Sequence, residues 1–331
     1  MMERLLSAIR MLAVALLLAW WIGSAQAAEE VRIYTYMLVI QEGLTKILSE
    51  NTGVQVKTLG LSGGELWARV QAEKPNIGAD VIFGFGPGPA ILGKREGLWE
   101  PYSDPPAWRD IHARYKDKDW AWFDVGTSCF VLVGNKDLLA KKGYKMPESW
   151  FDLLDPKWKG EIVMPSPVTS GTAFMINATF VQLLGWEKGW EFLEKLDKNV
   201  AQYTRSGNAP LEHVGRGEYM LGLASDENVP QRLQQGFPIY WSAPKEGLGY
   251  EGNIVTIVKG TKQLDAAKRV VNFAGTEKFQ RWLAQFGYLT ARDVPNPLYP
   301  TKPKLIDYSY EWAADNHARV IETWKEKFLR K

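Results

Sequence analysis

Two threonines, a serine and a glycine stand together at Thr169, Ser170, Gly171 and Thr172. They follow a short apolar run, Glu161 to Met164, and a Pro, Ser and Thr turn, and they open a long helical pattern starting at about Thr172. A helix N-terminus leaves its first N–H groups unpaired and carries the positive end of the helix dipole, so hydroxyls beside a glycine there can enclose an oxyanion. The same residues also make an ordinary helix cap. Which role applies depends on whether other polar segments converge on this turn.

Other chemistries find little support. His112, His213 and His317 lie far apart and in no metal-ligand spacing, so each is expected to be structural or exposed. The single Cys129 sits in an apolar strand, which excludes an intramolecular disulfide and suggests a buried thiol. No strand-to-helix nucleophile elbow with Ser, His and Asp is present, so no catalytic residue is assigned. Gly84-Phe85-Gly86-Pro87-Gly88 superficially resembles a dinucleotide fingerprint. It follows the third strand, however, is interrupted by proline and leads to no matching acidic strand end, so a loop that lets a ligand approach the backbone is the simpler reading. No cofactor is expected.

The elements that must position these residues follow from periodicity. Val31 to Tyr36, Val54 to Leu59 and Ala79 to Phe83 read as strands, separated by helical patterns at Gln41 to Glu50 and Glu65 to Lys74. That alternation predicts a parallel sheet with helices on its faces, and ligands collect beyond the carboxyl ends of such strands. Thr35 and Tyr36, Ser62 to Gly64 (hence Ser62 and Gly63), and Gly84 to Gly86 fall at those ends. After a turn-rich stretch from Glu100 to Asp119, a strong strand covers Trp120 to Asn135. A second alternation follows: helices at Thr172 to Leu184 and Trp186 to Leu196, a turn from Tyr203 to Pro210, strands at Tyr219 to Ala224, Pro238 to Trp241 and Gly252 to Val258, and helices at Leu264 to Ala274 and Glu277 to Phe286. The pattern predicts two α/β halves, with the chain passing between them near Thr127 and again near Asn253. The stretch after Leu298, with Trp312 and Trp324 in helical spacing, is expected to pack across the second half.

With 331 residues, 46% of them hydrophobic, the chain can bury two lobes of ordinary size. A net charge of +2 without basic runs argues against a nucleic-acid surface. Arg4 and Arg10, the apolar Met11 to Ile22 and the small-x-small Ala25-Gln26-Ala27 have the form of a cleavable export signal over residues 1–27. An exported protein without disulfides fits a bacterial periplasm.

DPKWKGEIVMPSPVTSGTAF, followed by AQYTRSGNAP, GEYMLGLASDEN and AAKRVVNFAGTEKFQRWLAQFG, resembles the periplasmic substrate-binding proteins of ABC importers. The nearest branch includes ferric-ion, sugar-phosphate and 2-aminoethylphosphonate binding proteins, and the resemblance covers about residues 30–298. It implies an α/β fold of two lobes, a type II periplasmic binding protein, closing on a solute. The divisions expected are 28–127 with 254–290 for the first lobe and 128–253 with 291–331 for the second. In the iron-binding branch the metal ligands match approximately Leu38, Phe85, Glu227 and Asn228. Ferric iron wants hard oxygen and imidazole ligands, which Leu and Phe do not offer.

The same family holds an oxyanion with a turn like Ser170-Gly171 and polar residues at positions like Ser206 and Ser225. The resemblance therefore implies an anion at Thr169 to Thr172 with Ser206, Gly207 and Asn208 opposite. Asp226 and Glu227 would then meet an ammonium group or sugar hydroxyls, or else simply precede a solvated helix. Tyr36, Phe85 and Trp241 would cover an apolar or cationic part of the solute. The expected function is a monomeric, non-catalytic receptor for a small anionic organic solute, a phosphonate or phosphate ester by preference, serving an ABC permease in the inner membrane. The alternatives are a ferric-iron receptor of the same family and an exported hydrolase acting on a phosphate ester through Asp226 or Glu227.

Overall fold

The computed structural model describes residues 29–329; the expected export signal lies outside them. In chain order the elements are β1 (Glu30–Thr35), α1 (Gln41–Thr52), β2 (Gln55–Gly60), α2 (Gly63–Glu73), β3 (Val81–Phe85), α3 (Pro87–Arg95), β4 (Trp99–Glu100) and β5 (Phe123–Asn135). Then come α4 (Lys136–Lys142), β6 (Ile162–Pro165), α5 (Gly171–Leu184), α6 (Trp186–Asp197), β7 (Val200–Thr204), α7 (Ala209–Gly215) and β8 (Leu221–Ser225). The chain ends with α8 (Val229–Gln234), β9 (Ile239–Ser242), β10 (Tyr250–Val258), α9 (Leu264–Ala274), α10 (Glu277–Ala284), β11 (Leu289–Thr290) and α11 (Tyr310–Phe328).

The strands run β2-β1-β3-β10-β5-β8-β6-β7. β1 is parallel to β2 and β3, as the alternation predicts. A second parallel set, β6 with β7 and β8, forms the far half. β5 joins them. Its first part pairs with β10 and β11, and its second part with β8 and β9. Every residue of β5 is buried, and its second part is accordingly a continuous apolar run from Cys129 to Val133. Two elements depart from expectation. The Tyr203 to Pro210 segment is not all turn, because Tyr203 and Thr204 end β7, which pairs with β6. The proline-broken glycine loop becomes α3, whose Pro87 sits at the first helical position, where proline needs no N–H partner.

One hydrophobic cluster packs α1, α9 and α10 on the outer face of the first half, with Phe83, Phe123 and Phe279 inside it. A second runs without interruption from Phe85 and Trp99 through β5 into the other half and on to Trp324 of α11. The C-terminal helix therefore does more than cover the second half. It stacks on that half through Trp324 against Tyr203 at 5.1 Å and Arg319 over Trp186 at 3.7 Å. It also packs along α3, with Arg95 bonded to Asp315 at 2.8 Å.

Where β5 and β10 cross, Asp124 is buried and accepts hydrogen bonds from the Gly126 and Asn253 N–H groups and from the Tyr310 hydroxyl at 3.1 Å. Burial pushes its carboxyl up to about 6, against the lowering effect of those bonds and of Arg114. A carboxyl raised in the folded state binds its proton more tightly folded than unfolded. Its stability contribution is thus present below the ordinary aspartate range and is lost as pH rises through about 6. Thermal unfolding should show greater stability at pH 5 than at pH 7, with Asp124 supplying about 1 kcal/mol of the gain. Asp124→Asn should remove that part; an unchanged pH dependence would show that Asp124 does not titrate in this range.

Candidate functional site

The serine of the opening turn does cap a helix. Ser170 Oγ accepts the Ala173 N–H at 3.3 Å, and α5 starts at Gly171, one residue before the helical pattern suggests. The cap is also the floor of a larger assembly. Thr169 donates its hydroxyl to the Arg205 carbonyl at 2.9 Å, which ties this turn to the one after β7. Gly207 lies so close that a Cβ there would sit 2.2 Å from Thr172 Oγ1 and 3.2 Å from Ser170 Oγ. The Gly207 carbonyl in turn accepts the Ser225 N–H at 3.3 Å.

Three turns after β6, β7 and β8 therefore meet at one point, bringing together Thr169, Ser170, Gly171, Thr172, Ser206, Gly207, Asn208 and Ser225. Ser206 Oγ accepts the Asn208 N–H at 3.3 Å, and Asn208 Oδ1 is buried without a hydrogen-bond partner in the protein. These groups offer hydroxyls, N–H groups and the positive end of a 14-residue helix, donors suited to an oxyanion.

Next to this cradle the acids take over. Ser225 Oγ donates to Glu227 Oε1 at 3.4 Å, and Ser128 also bonds the Glu227 carboxylate. Burial raises the Glu227 carboxyl despite both bonds. Directly across the β5–β10 ladder from Ser128 stands Glu251, half-buried, close enough to Gly86 that a Cβ on that glycine would lie 2.7 Å from Glu251 Oε1. Burial first, and Glu227 second, push the Glu251 carboxyl up to about 7. Tyr36 completes the group from the first half. Its hydroxyl donates to Asn253 Oδ1 at 2.9 Å, and burial with both glutamates raises its phenol well above the ordinary range. Beyond Glu227, a groove of about 440 Å³ opens between Val39 and Ile40 on one side and Pro230 and Phe286 on the other.

Several expected site residues lie elsewhere. Asp226 is fully buried, its carboxylate taken by the Cys129 N–H at 3.0 Å and the Tyr299 hydroxyl at 2.7 Å, so it braces β5 and offers nothing to a solute. Phe85 is 1% exposed and packs edge-on against Trp99, because β3 is buried along its whole length and on both faces. Trp241 packs against Tyr299 at 5.1 Å, one layer behind Asp226. Thr35 is buried and accepts the Met37 N–H, shaping the turn that carries Tyr36. Gly84 has φ 74° and leaves room for Met37, again supporting that turn. Ser62 forms an exposed capping box with Glu65, and Gly63 only opens α2.

Glu251, Ser128 and Asn253 belong to no ligand motif in the sequence. Their signal is the run Glu251-Gly-Asn253, polar residues inside an otherwise apolar strand at a crossing point between the halves. Among the described residues no group of three or more His, Cys, Asp and Glu side chains could hold a metal ion. His112 accepts the Arg114 N–H, His213 meets Glu218, and His317 packs on Phe174.

Two half-sheets joined by strands, with polar turns gathered where they meet, define a solute-binding fold, and comparison with solved structures agrees. The chain superimposes on the periplasmic binding protein AfuA from Actinobacillus pleuropneumoniae, solved with fructose-6-phosphate, with a TM-score of 0.77 and 33% identity over 90% of this chain and 98% of that one. The apo ferric ion-binding protein A of Pasteurella haemolytica shares the fold, with a TM-score of 0.79 at 20% identity over 91% and 98% of the two chains. The class is thus the two-lobed periplasmic binding protein. Residues 44–305 match the family described as bacterial extracellular solute-binding protein, and the chain belongs to that family. A probable ABC transporter periplasmic-binding protein, y4fP of Sinorhizobium fredii, is 30% identical over 71% of this chain and 66% of its own length. No helix among the described residues is long and apolar enough to cross a membrane.

Proposed function

We propose that this protein is the periplasmic receptor of an ABC importer, and that it captures a small organic solute bearing a phosphate or phosphonate group. The lobes would be 28–127 with 254–290 and 128–253 with 291–331, closing on the solute as a monomer and presenting it to an inner-membrane permease. The observation that carries the reading is the packing of Gly207 against Ser170 and Thr172. It converts an ordinary helix cap into a three-turn cradle of neutral donors with an acidic wall beside it.

Iron held as in the ferric branch is disfavoured by the positions themselves. Leu38 is exposed at the rim, Phe85 is in the core, Asn228 is an amide, and Glu227 alone of the four is a good hard ligand. The fructose-6-phosphate seen in the AfuA structure supports an organophosphate here.

A thermal-shift screen of the mature chain, Ala28 to Lys331, against phosphonates, sugar phosphates, free phosphate and ferric citrate tests this. A ligand at about a hundred times its dissociation constant adds about 2.7 kcal/mol. Stabilisation by organophosphates and not by iron is expected. Stabilisation by ferric citrate alone would overturn the assignment, and release of inorganic phosphate from a bound ester would make the protein a hydrolase.

A further inference from the structure

We propose that Glu251 is a specificity-determining residue, which with Glu227 requires the solute to carry an ammonium group opposite its phosphate or phosphonate. This rests on the cradle being the anion site.

The two carboxylates approach from different parts of the fold. Glu227 follows β8 in the second half, whereas Glu251 lies on β10, beside Gly86 of the first half. They share one small intermediary, since Ser128 bonds Glu227 and stands opposite Glu251 in the ladder. Ion pairs occupy many acids elsewhere, such as Asp117 with Lys94 and Glu212 with Arg232. Neither Glu227 nor Glu251 has an ion-pair partner among the described residues. The ionisable groups that interact with Glu251 include Glu227, Tyr36 and Tyr308, none of them a cation. Arg114, whose guanidinium lies over the ring of Tyr250 beside Glu251, is engaged there and at Tyr115.

Two half-buried carboxyl groups without a counter-ion oppose each other's ionisation, and the negative charge they carry repels the anion in the adjoining cradle. A solute that is only an anion brings the halves together against that repulsion. A solute that also carries an ammonium group cancels it and is held at both of its charged ends. Selectivity is then set by closure: bare phosphate and phosphonates with apolar tails meet the cradle but leave the glutamate pair uncompensated.

Calorimetry on the mature wild-type protein and on Glu251→Gln tests this with 2-aminoethylphosphonate, its amine-free counterpart propylphosphonate, and a hexose phosphate. The wild type should bind the aminated compound at least about 30-fold more tightly than propylphosphonate, since a charge-assisted pair in a partly desolvated site contributes about 2 kcal/mol. Glu251→Gln should shrink that ratio below about fivefold, with propylphosphonate affinity held or improved. Glu227→Gln, which leaves the hinge strand untouched, should shift the ratio in the same direction.

Equal wild-type affinities for the two phosphonates would overturn the inference while leaving the cradle in place. So would a ratio unchanged by both substitutions, or binding of the hexose phosphate alone. Binding of none of the three compounds would remove the cradle, and the inference with it.

Discussion

Replacing Ser170 by Asp is expected to abolish solute binding without unfolding the protein. Aspartate caps a helix as well as serine does, and a negative charge at the first turn of α5 suits the helix dipole, so the local structure should survive or gain slightly. For the solute the same carboxylate is a like charge at contact distance. At about 4 Å and an effective dielectric near 20 the repulsion is about 4 kcal/mol, roughly a thousandfold in affinity. Calorimetry with the best organophosphate from the thermal-shift screen measures the loss, and the melting temperature of the ligand-free variant reports the fold. Retained affinity with a normal melting temperature would take the cradle out of the mechanism.

Replacing Gly207 by Ala is the second large effect, and its mechanism is steric. The added methyl would stand 2.5 Å from Thr172 Cβ and closer still to its hydroxyl, and a β-branched side chain in the first turn of a helix has little freedom to turn away. The turn after β7 must therefore back off from α5, which widens the cradle and strains the bond between the Gly207 carbonyl and the Ser225 N–H. Overpacking of this kind costs about 1–3 kcal/mol of stability. The affinity loss should be larger, at least about 100-fold, because donors misplaced by an ångström no longer converge on one anion. A binding loss no greater than the stability loss would indicate that the three turns do not act as a unit.

The comparison between sequence and structure divides along the same residues. The parallel sets of strands, the buried Cys129 and the polar character of the Ser170 turn follow from alternation, hydrophobic runs and capping chemistry, all of which are local. That the turns after β6, β7 and β8 meet is a property of strand order, and the resemblance to a known family supplied it where periodicity could not. The errors are equally specific. Asp226 and Glu227 are neighbours of the same chemistry at the end of one strand. Only the fold shows that one is sealed behind Tyr299 while the other remains beside the cradle. Phe85 sits at a strand end, where ligands gather, yet β3 is buried to its last residue and Phe85 packs on Trp99. Glu251 is illegible in the sequence because a single acid in a largely apolar strand carries no motif. Its position is set by pairing with Ser128, more than 100 residues earlier in the chain.

The place of β10 also fixes an order of assembly. This strand fills the gap between β3 and β5, so the first half-sheet stays split until a segment made long after its neighbours has arrived. β6, β7 and β8 come from one continuous stretch of chain and can pair while the remainder is still being synthesised. The half-sheet begun first is thus the half-sheet completed last, and the crossing that carries Asp124, Asn253 and Glu251 forms only with that late arrival. A chain cut short before Tyr250 would keep the anion cradle's residues and lack the strand through which β3 reaches β5.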